Sequence, residues 1–456
     1  MKGIPDMKLS YKRTLAVGFA FFLICAFWQA YDSIIPKILT DKFGMAQVWS
    51  GAVMALDNLL AVFLLPLFGA ISDRHNGRLG RRTPFILIGT VAASIGLVAL
   101  SLADNMQLAH LGGRDPIEVT KENPQILVIF MLILLLVLIS MSIYRSPAVA
   151  LMPDVTPKPL RSKANAIINL MGSAGGIIVL ILGMIFGTGK PENSQMSYTG
   201  FFAVVAGMMI AALAVFMLTV REKKWAAEAQ RINDALDAET EKTEKASVSD
   251  PGKKLSRGEL KSLVLLLTSV VLWYMGYNAV TSKYSVYAGA VLGLDYNLTM
   301  IVAQAAAIVS YIPVGIISSK IGRKKTILAG VVMLGGAFLF ASFMREGSSL
   351  IVMNLLFALA GIGWATINVN SYPMVVELAG SGDVGKYTGY YYTASMSAQI
   401  ITPILSGAFL TYVGMETLFP YAAIFAAAAF VTMLFVKHGD SLGEKKDILE
   451  HLDVGD

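Results

Sequence analysis

The chain has 456 residues, of which 55% are hydrophobic and only 15% charged, with a mean hydropathy of +0.63. A surface that must be wet cannot be built from that composition, so a soluble globule is excluded and the chain belongs in a bilayer. The net charge of +6 is therefore assigned to loops facing the cytoplasm rather than to nucleic acid, and the single cysteine, Cys25, excludes an internal disulfide.

Apolar stretches able to cross about 30 Å of hydrocarbon, roughly 20 residues each, occur twelve times along the chain. The first six cover residues 14–39, 48–72, 84–103, 125–152, 164–187 and 200–220, and the second six 262–292, 298–319, 326–344, 350–376, 387–413 and 417–436. Their patterning lacks a strand period, so helices are expected, the form that satisfies backbone amides in lipid. The first stretch is too long for a signal-peptide core and is expected to stay as a span.

Lys and Arg then set the orientation. With the N-terminus inside, only Lys37, Lys42, Arg114, Lys121, Lys190 and Arg345 fall in outer loops, Arg145 and Lys283 fall within spans, and the other 29 of the 37 lie inside. Both termini are accordingly expected in the cytoplasm, in a multi-pass protein of the cell membrane.

Between spans 2 and 3 the chain reads Gly69-Ala70-Ile71-Ser72-Asp73-Arg74, then Gly77-Arg78-Leu79-Gly80-Arg81-Arg82, and residues 315–325 (GIISSKIGRKK) repeat the device between spans 8 and 9. Asp73 at a helix C-terminus is disfavoured by the dipole unless cations or a neighbouring helix N-terminus meet it. Asp73, Arg74, Arg78, Arg81 and Arg82 are thus either a conformational latch, with Asp73 reaching the other half, or ordinary positive-inside charge. Ser319 replaces the acid in the second copy, which weakens any latch there.

Four regions follow: a bundle over 1–220, a cytoplasmic linker over 221–261, a second bundle over 262–436 and a tail over 437–456. The first half of the linker reads as a charged helix lying on the membrane through Trp225, and the stretch around Asp250-Pro251-Gly252 as flexible. Both bundles share an order: a basic turn after the second span, a proline near the end of the fourth (Pro147, Pro373), an acid (Asp154, Glu377) and a basic residue opening the fifth (Lys163, Lys386). The expectation is an all-α membrane protein of two pseudo-symmetric six-helix halves with a substrate site at the midplane.

Three stretches narrow this: SDRHNGRLGRRTPFILIG at 72–89, PAVALMPDVTPKPLRSKANA at 147–166 and GIGWATINVNSYPMVVEL at 361–378. The chain resembles the major facilitator superfamily, and within it the glycoside-pentoside-hexuronide:cation symporters, especially the sucrose-transporter branch. That resemblance implies a facilitator fold with a cavity lined by spans 1, 4, 7 and 10. It departs in two places. The aspartates that serve sodium in melibiose-permease-like relatives fall on Ala61 and Leu65, and the arginine of sucrose carriers falls on Val149, one turn after Arg145.

Ionisable residues within spans cost about 2.5–3.5 kcal/mol or more at the bilayer centre and persist where they line cavities. Here they are Asp32, Asp57, Arg145 and Lys283. Judged by depth along the helix axis, Lys283 is expected to pair with either aspartate, and Arg145 to meet substrate alone. All four histidines lie in loops or tails, so a carboxylate must carry any coupling proton. Burial favours its neutral form and a nearby cation its charged form, so Asp57 and Asp32 are the candidates, against a purely structural role. One aspartate per helix is a thin cage for sodium, and neither metal nor cofactor is expected.

A sugar site needs aromatic faces and paired donors and acceptors. Span 7 offers Tyr277, Asn278, Thr281 and Tyr284 beside Lys283, span 10 offers Trp364 and Asn368, and span 1 offers Trp28 and Gln29 beside Asp32. Such stripes serve either a site or interhelical packing. The expected function is proton-coupled symport of a glycoside or disaccharide by a monomer. The alternatives are export of amphipathic compounds by the same fold and, more remotely, a membrane sensor; an enzyme is not expected, the spans holding no histidine or metal-ligand cluster.

Overall fold

A computed structural model of the chain describes residues 9–244, 256–378 and 384–439. The linker stretch around Asp250-Pro251-Gly252 and most of the tail lie outside these residues. Among the described residues, 12 helices are long and apolar enough to cross a membrane. Spans 1 to 6 are Tyr11–Lys42, Gln47–Arg74, Thr83–Leu111, Pro124–Val155, Lys163–Phe186 and Thr199–Thr219. Spans 7 to 12 are Arg257–Leu292, Tyr296–Ile321, Arg323–Ala341, Leu350–Val376, Lys386–Tyr412 and Met415–Leu434. An even number of crossings puts the start of span 1 and the end of span 12 on one face, with the 69–82 turn; this is the terminal face, and its opposite the far face.

Two apolar cores form. One draws on spans 1 to 6, with Phe27, Phe130, Phe202 and Phe216 fully buried, and the other on spans 7 to 12, with Trp273, Tyr287 and Phe419. Spans 1 and 7, the first of each half, both widen at the far face into a five-residue π turn, Ile38–Lys42 and Ala288–Leu292. Each closes on a left-handed glycine, Gly44 and Gly293, both with φ of 63°. Met45 N donates to Leu39 O at 2.8 Å and Leu294 N to Ala288 O at 2.9 Å, the same bond spacing in both copies.

On the terminal face Arg82 is the hub. Its guanidinium, 6% exposed, pairs with Asp73, donates to Ser72 Oγ at 2.5 Å and to Asp154 Oδ2 at 2.8 Å, tying the ends of spans 2 and 4 to the start of span 3. Of the partners open to Asp73, the structure shows Arg82, one of the nearby cations of its own turn. Arg81 approaches Asp154 at 3.4 Å. In the second copy Arg323 pairs with Glu377 at the end of span 10, and Lys324 Nζ donates to Leu434 O at 2.9 Å and Val436 O at 2.6 Å at the end of span 12.

The linker helix, Glu222–Glu244, corrects another expectation. It packs on the first half instead of presenting Trp225 to lipid. Trp225 is buried beneath the Arg13 guanidinium, 5.5 Å from its ring, while Arg13 also bridges Glu228 at 2.8 Å and Asn233 Oδ1 accepts from Lys158 N at 2.8 Å. An amphipathic pattern cannot tell a protein groove from a lipid surface, and the adjoining loops supply the groove.

The anchor is Glu222, 3% exposed. Its carboxylate accepts from Arg81 N (2.6 Å), Arg82 N (2.9 Å), Thr83 N (2.8 Å) and Thr83 Oγ1 (2.7 Å), meeting the free amides at the start of span 3. Gly80 makes room: at φ 121° it favours glycine, and a Cβ there would sit 2.3 Å from the Glu222 carboxyl. Glu222→Ala should leave those donors unmet at a cost of about 1–3 kcal/mol and release the helix. Trypsin should then cut after Lys223 or Lys224 markedly faster than in the native protein, and an unchanged cleavage rate would refute the anchor.

Candidate functional site

A cavity of about 680 Å³ lies between the halves. A polar recess of about 230 Å³, entered beside Trp28, Asp32 and Arg145, adjoins it. From the first half the main cavity is lined by Trp28, Gln29, Asp32 and Arg145, and from the second by Tyr277, Asn278, Thr281, Tyr284, Trp364 and Asn368. Asp57 faces the recess with Asn58, Ser282 and Gln399. Of the residues expected from spans 1, 2, 4, 7 and 10, all but Lys283 line this cavity or its recess, and Asn58, Ser282 and Gln399 join them.

The two π turns set spans 1 and 7 in register. Sixteen, fifteen and twelve residues before Gly44 stand Trp28, Gln29 and Asp32; at the same distances before Gly293 stand Tyr277, Asn278 and Thr281. Each half thus offers the cavity an aromatic ring, an amide and, one turn on, an oxygen. The rings have company. Tyr277 stacks on Trp364 at 3.6 Å with planes 1° apart, and the Arg145 guanidinium lies 5.5 Å from the Trp28 ring. Two buried donors, Trp28 Nε1 and Asn278 Nδ2, have no hydrogen-bond partner among the described residues, and both belong to cavity-lining side chains.

The charges are arranged differently from the depth argument. Arg145, not Lys283, is the cation that acts electrostatically on both Asp32 and Asp57. Asp57 also accepts from Asn58 Nδ2 at 2.9 Å. Lys283 is fully buried, and its Nζ donates to Gln47 O at 2.9 Å across the seam with span 2. The reason is azimuth. Lys283 follows Thr281 by two residues, about 200° around the helix, so when Thr281 faces the cavity Lys283 must face away, whereas Arg145 lines the cavity together with Asp32. Tyr284 is also more fixed than expected, its Oη accepting from Thr299 Oγ1 at 2.9 Å.

Spans 5 and 8 also line the cavity, with Asn169, Ser173 and Gly176 from one and Met300, Gln304 and Tyr311 from the other. Sequence reasoning passed over them because it sought charge; a lone Gln in the apolar run of span 8 was the available signal.

The halves close upon each other at the far face. A Cβ on Gly51 would lie 1.9 Å from Pro403 O, one on Gly407 2.3 Å from Gln47 O, one on Gly183 2.4 Å from Asn297 Oδ1 and one on Gly189 1.9 Å from Asp295 Oδ1. Close approach at small residues, to backbone in the first two cases and to side chains in the last two, is how membrane segments pack tightly. Val48 N donates to Thr411 Oγ1 at 3.0 Å, and Thr188 and Tyr296 hydroxyls meet at 3.1 Å.

One further pair went unread because the apolar stretch ends at residue 103, whereas span 3 runs to Leu111. Asp104 and Lys42, both fully buried, meet at 2.5 Å, and Lys42 Nζ also donates to Met196 O at 2.6 Å and lies 4.4 Å from the Tyr198 ring.

Twelve spans among the described residues, in two halves around a central cavity with a polar recess, define a membrane transporter rather than an enzyme. The sequence profile of the Major Facilitator Superfamily matches residues 17–320 and 296–451, and the chain belongs to that family. It is 27% identical over 176 residues to the sucrose transport protein SUC4 of Arabidopsis thaliana, covering 38% of this chain and 33% of that protein. It is 25% identical over 223 residues to the probable nitrate transporter NarT of Staphylococcus epidermidis, 49% of each. In each case the matched stretch spans less than half of the relative's length. The xylose transporter XylE of E. coli, in an inward-open structure, superposes with a TM-score of 0.65 at 15% identity over 96% of this chain and 98% of that one, a likeness of fold.

Asp104→Asn should lower stability by about 3–5 kcal/mol by leaving Lys42 a buried, unpaired cation. The double change Lys42→Met with Asp104→Leu should recover most of that loss in thermal unfolding, and a double variant no better than the single would contradict the assignment.

Proposed function

We propose that the chain is a symporter that carries a glycoside or disaccharide together with a proton by alternating access, as a monomer in the cell membrane with its termini in the cytoplasm. The observation that supports it most is the repeated trio. Each half presents a ring for a pyranose face, an amide for vicinal hydroxyls and an oxygen one turn on, so two linked sugar rings would find two similar half-sites. The partial likeness to a sucrose transport protein agrees with this.

Coupling falls to Asp32 and Asp57. With Arg145 near both, one carboxylate is balanced by the guanidinium, and the second calls for another positive charge, which a proton supplies. Unloading at one face and reloading at the other then needs only that the carboxyl change its surroundings as the halves rock.

A second reading has its own support. The wall from the second half carries Tyr274, Tyr277, Tyr284, Trp364, Phe338 and Phe357, an aromatic surface suited to amphipathic compounds expelled against protons. Direction separates the two. With labelled sucrose and maltose in vesicles, an inward proton gradient should drive sugar accumulation above equilibrium. Asp57→Asn or Asp32→Asn, whichever is the coupling group, should abolish accumulation yet retain counterflow exchange. Absence of gradient-driven uptake for every sugar, with proton-driven loss of an amphipathic dye, would replace symport by export.

A further inference from the structure

We propose that Gln304 is a ligand-contacting latch: its carboxamide holds the far side of the cavity shut through Gln29 and offers its remaining oxygen to the hydroxylated molecule inside. The ligand arm rests on the sugar reading above; the latch arm rests on the seam alone.

Gln304 sits in an apolar run of span 8, where an amide must find partners. Its Nε2 donates to Gln29 Oε1 at 2.7 Å, joining the two halves, and Gln29 Nε2 donates to Ser33 Oγ at 3.0 Å, which orients the Gln29 amide. Among the described residues, the other bonds across the seam, from Val48 to Thr411, from Lys283 to Gln47 and from Thr188 to Tyr296 and Asn297, belong to the far-face ends of their spans. The Gln29–Gln304 bond alone among these is made by two residues of the cavity wall. It is the point at which the contents of the cavity can touch the closure.

Gly176 keeps that point open. A Cβ there would lie 3.3 Å from Gln304 Oε1 and 3.7 Å from Gln29 Oε1, so the missing side chain leaves both amide oxygens unscreened from the cavity that Gly176 also lines. A ligand hydroxyl donating to Gln304 Oε1 would extend the chain from Gln304 through Gln29 to Ser33, and hydrogen bonds in such chains polarise and strengthen one another. Occupancy thereby favours the state in which the far side is closed, as a ligand must when it binds one conformation better than the other.

Cys25, the chain's single cysteine, lines the same cavity and reports the state. A membrane-impermeant maleimide is applied to each face in turn, using intact cells and inverted vesicles. Gln304→Leu should raise the far-face labelling rate relative to the terminal-face rate about fivefold, the value of one net hydrogen bond. Gln304→Glu, which still bonds Gln29 once that amide turns over, should keep the native ratio and shows that an altered ratio is not misfolding. An unchanged ratio in Gln304→Leu overturns the latch.

For the ligand arm, sucrose should protect Cys25, and half-protection in Gln304→Leu should need about five times more. Equal protection in the two proteins overturns the contact. If no sugar protects the native protein, the ligand arm falls with the sugar reading, and the labelling ratio alone decides the latch.

Discussion

A charge withdrawn from water must be met by something, and the way this bundle meets its charges determines how its helices lie. Lys42 is answered by Asp104 from span 3, Arg82 by the ends of spans 2 and 4, and the amides opening span 3 by Glu222 from beyond span 6. Each partner comes from a different part of the chain, so each pair is a tertiary constraint as well as an electrostatic one. Where hydrocarbon offers nothing to compete, such pairs decide register between helices that apolar contact alone would leave free to slide.

These constraints are unevenly shared. In the first half the basic turn, span 4 and the linker helix form one braced unit around Arg82 and Glu222. In the second the corresponding turn is held by Arg323 and Glu377. The first half also carries the cavity's charges, Asp32, Asp57 and Arg145, whereas the second carries most of its aromatic surface. A charged wall from one half thus faces an aromatic wall from the other across the cavity.

Much of this was legible in the residues. Hydropathy found every span, because a stretch that must cross lipid has few ways to disguise itself. The wall residues of spans 1, 7 and 10 were readable as aromatic and amide stripes. What escaped had physical causes. Hydropathy falls at Asp104 although the helix continues, since a scale that penalises charge cannot see Lys42 waiting for it. The depth of Lys283 along the axis matches the aspartates, but its bearing around the axis turns it to Gln47. Trp225 and its neighbours looked like a lipid-facing surface because a docking groove made by other loops is invisible in the segment that fills it. Gln304 carried no charge and drew no notice, although an amide in hydrocarbon is also an expense that needs a reason.

The paired π turns reach further. Aligned on their closing glycines, residues 38–42 (ILTDK) and 287–291 (YAGAV) share no amino acid at any position and the π turns begin one residue apart, yet in both corners the residue after the glycine donates to the carbonyl six residues back. The glycine and its surroundings preserve the bend, and the side chains upon it have been free to specialise. Lys42 was drawn into an ion pair in one copy where Val291 joined an apolar core in the other. The two far-face corners therefore share a geometry and not a sequence, and a residue's task here is better inferred from its place in that shared geometry than from the identity of its twin.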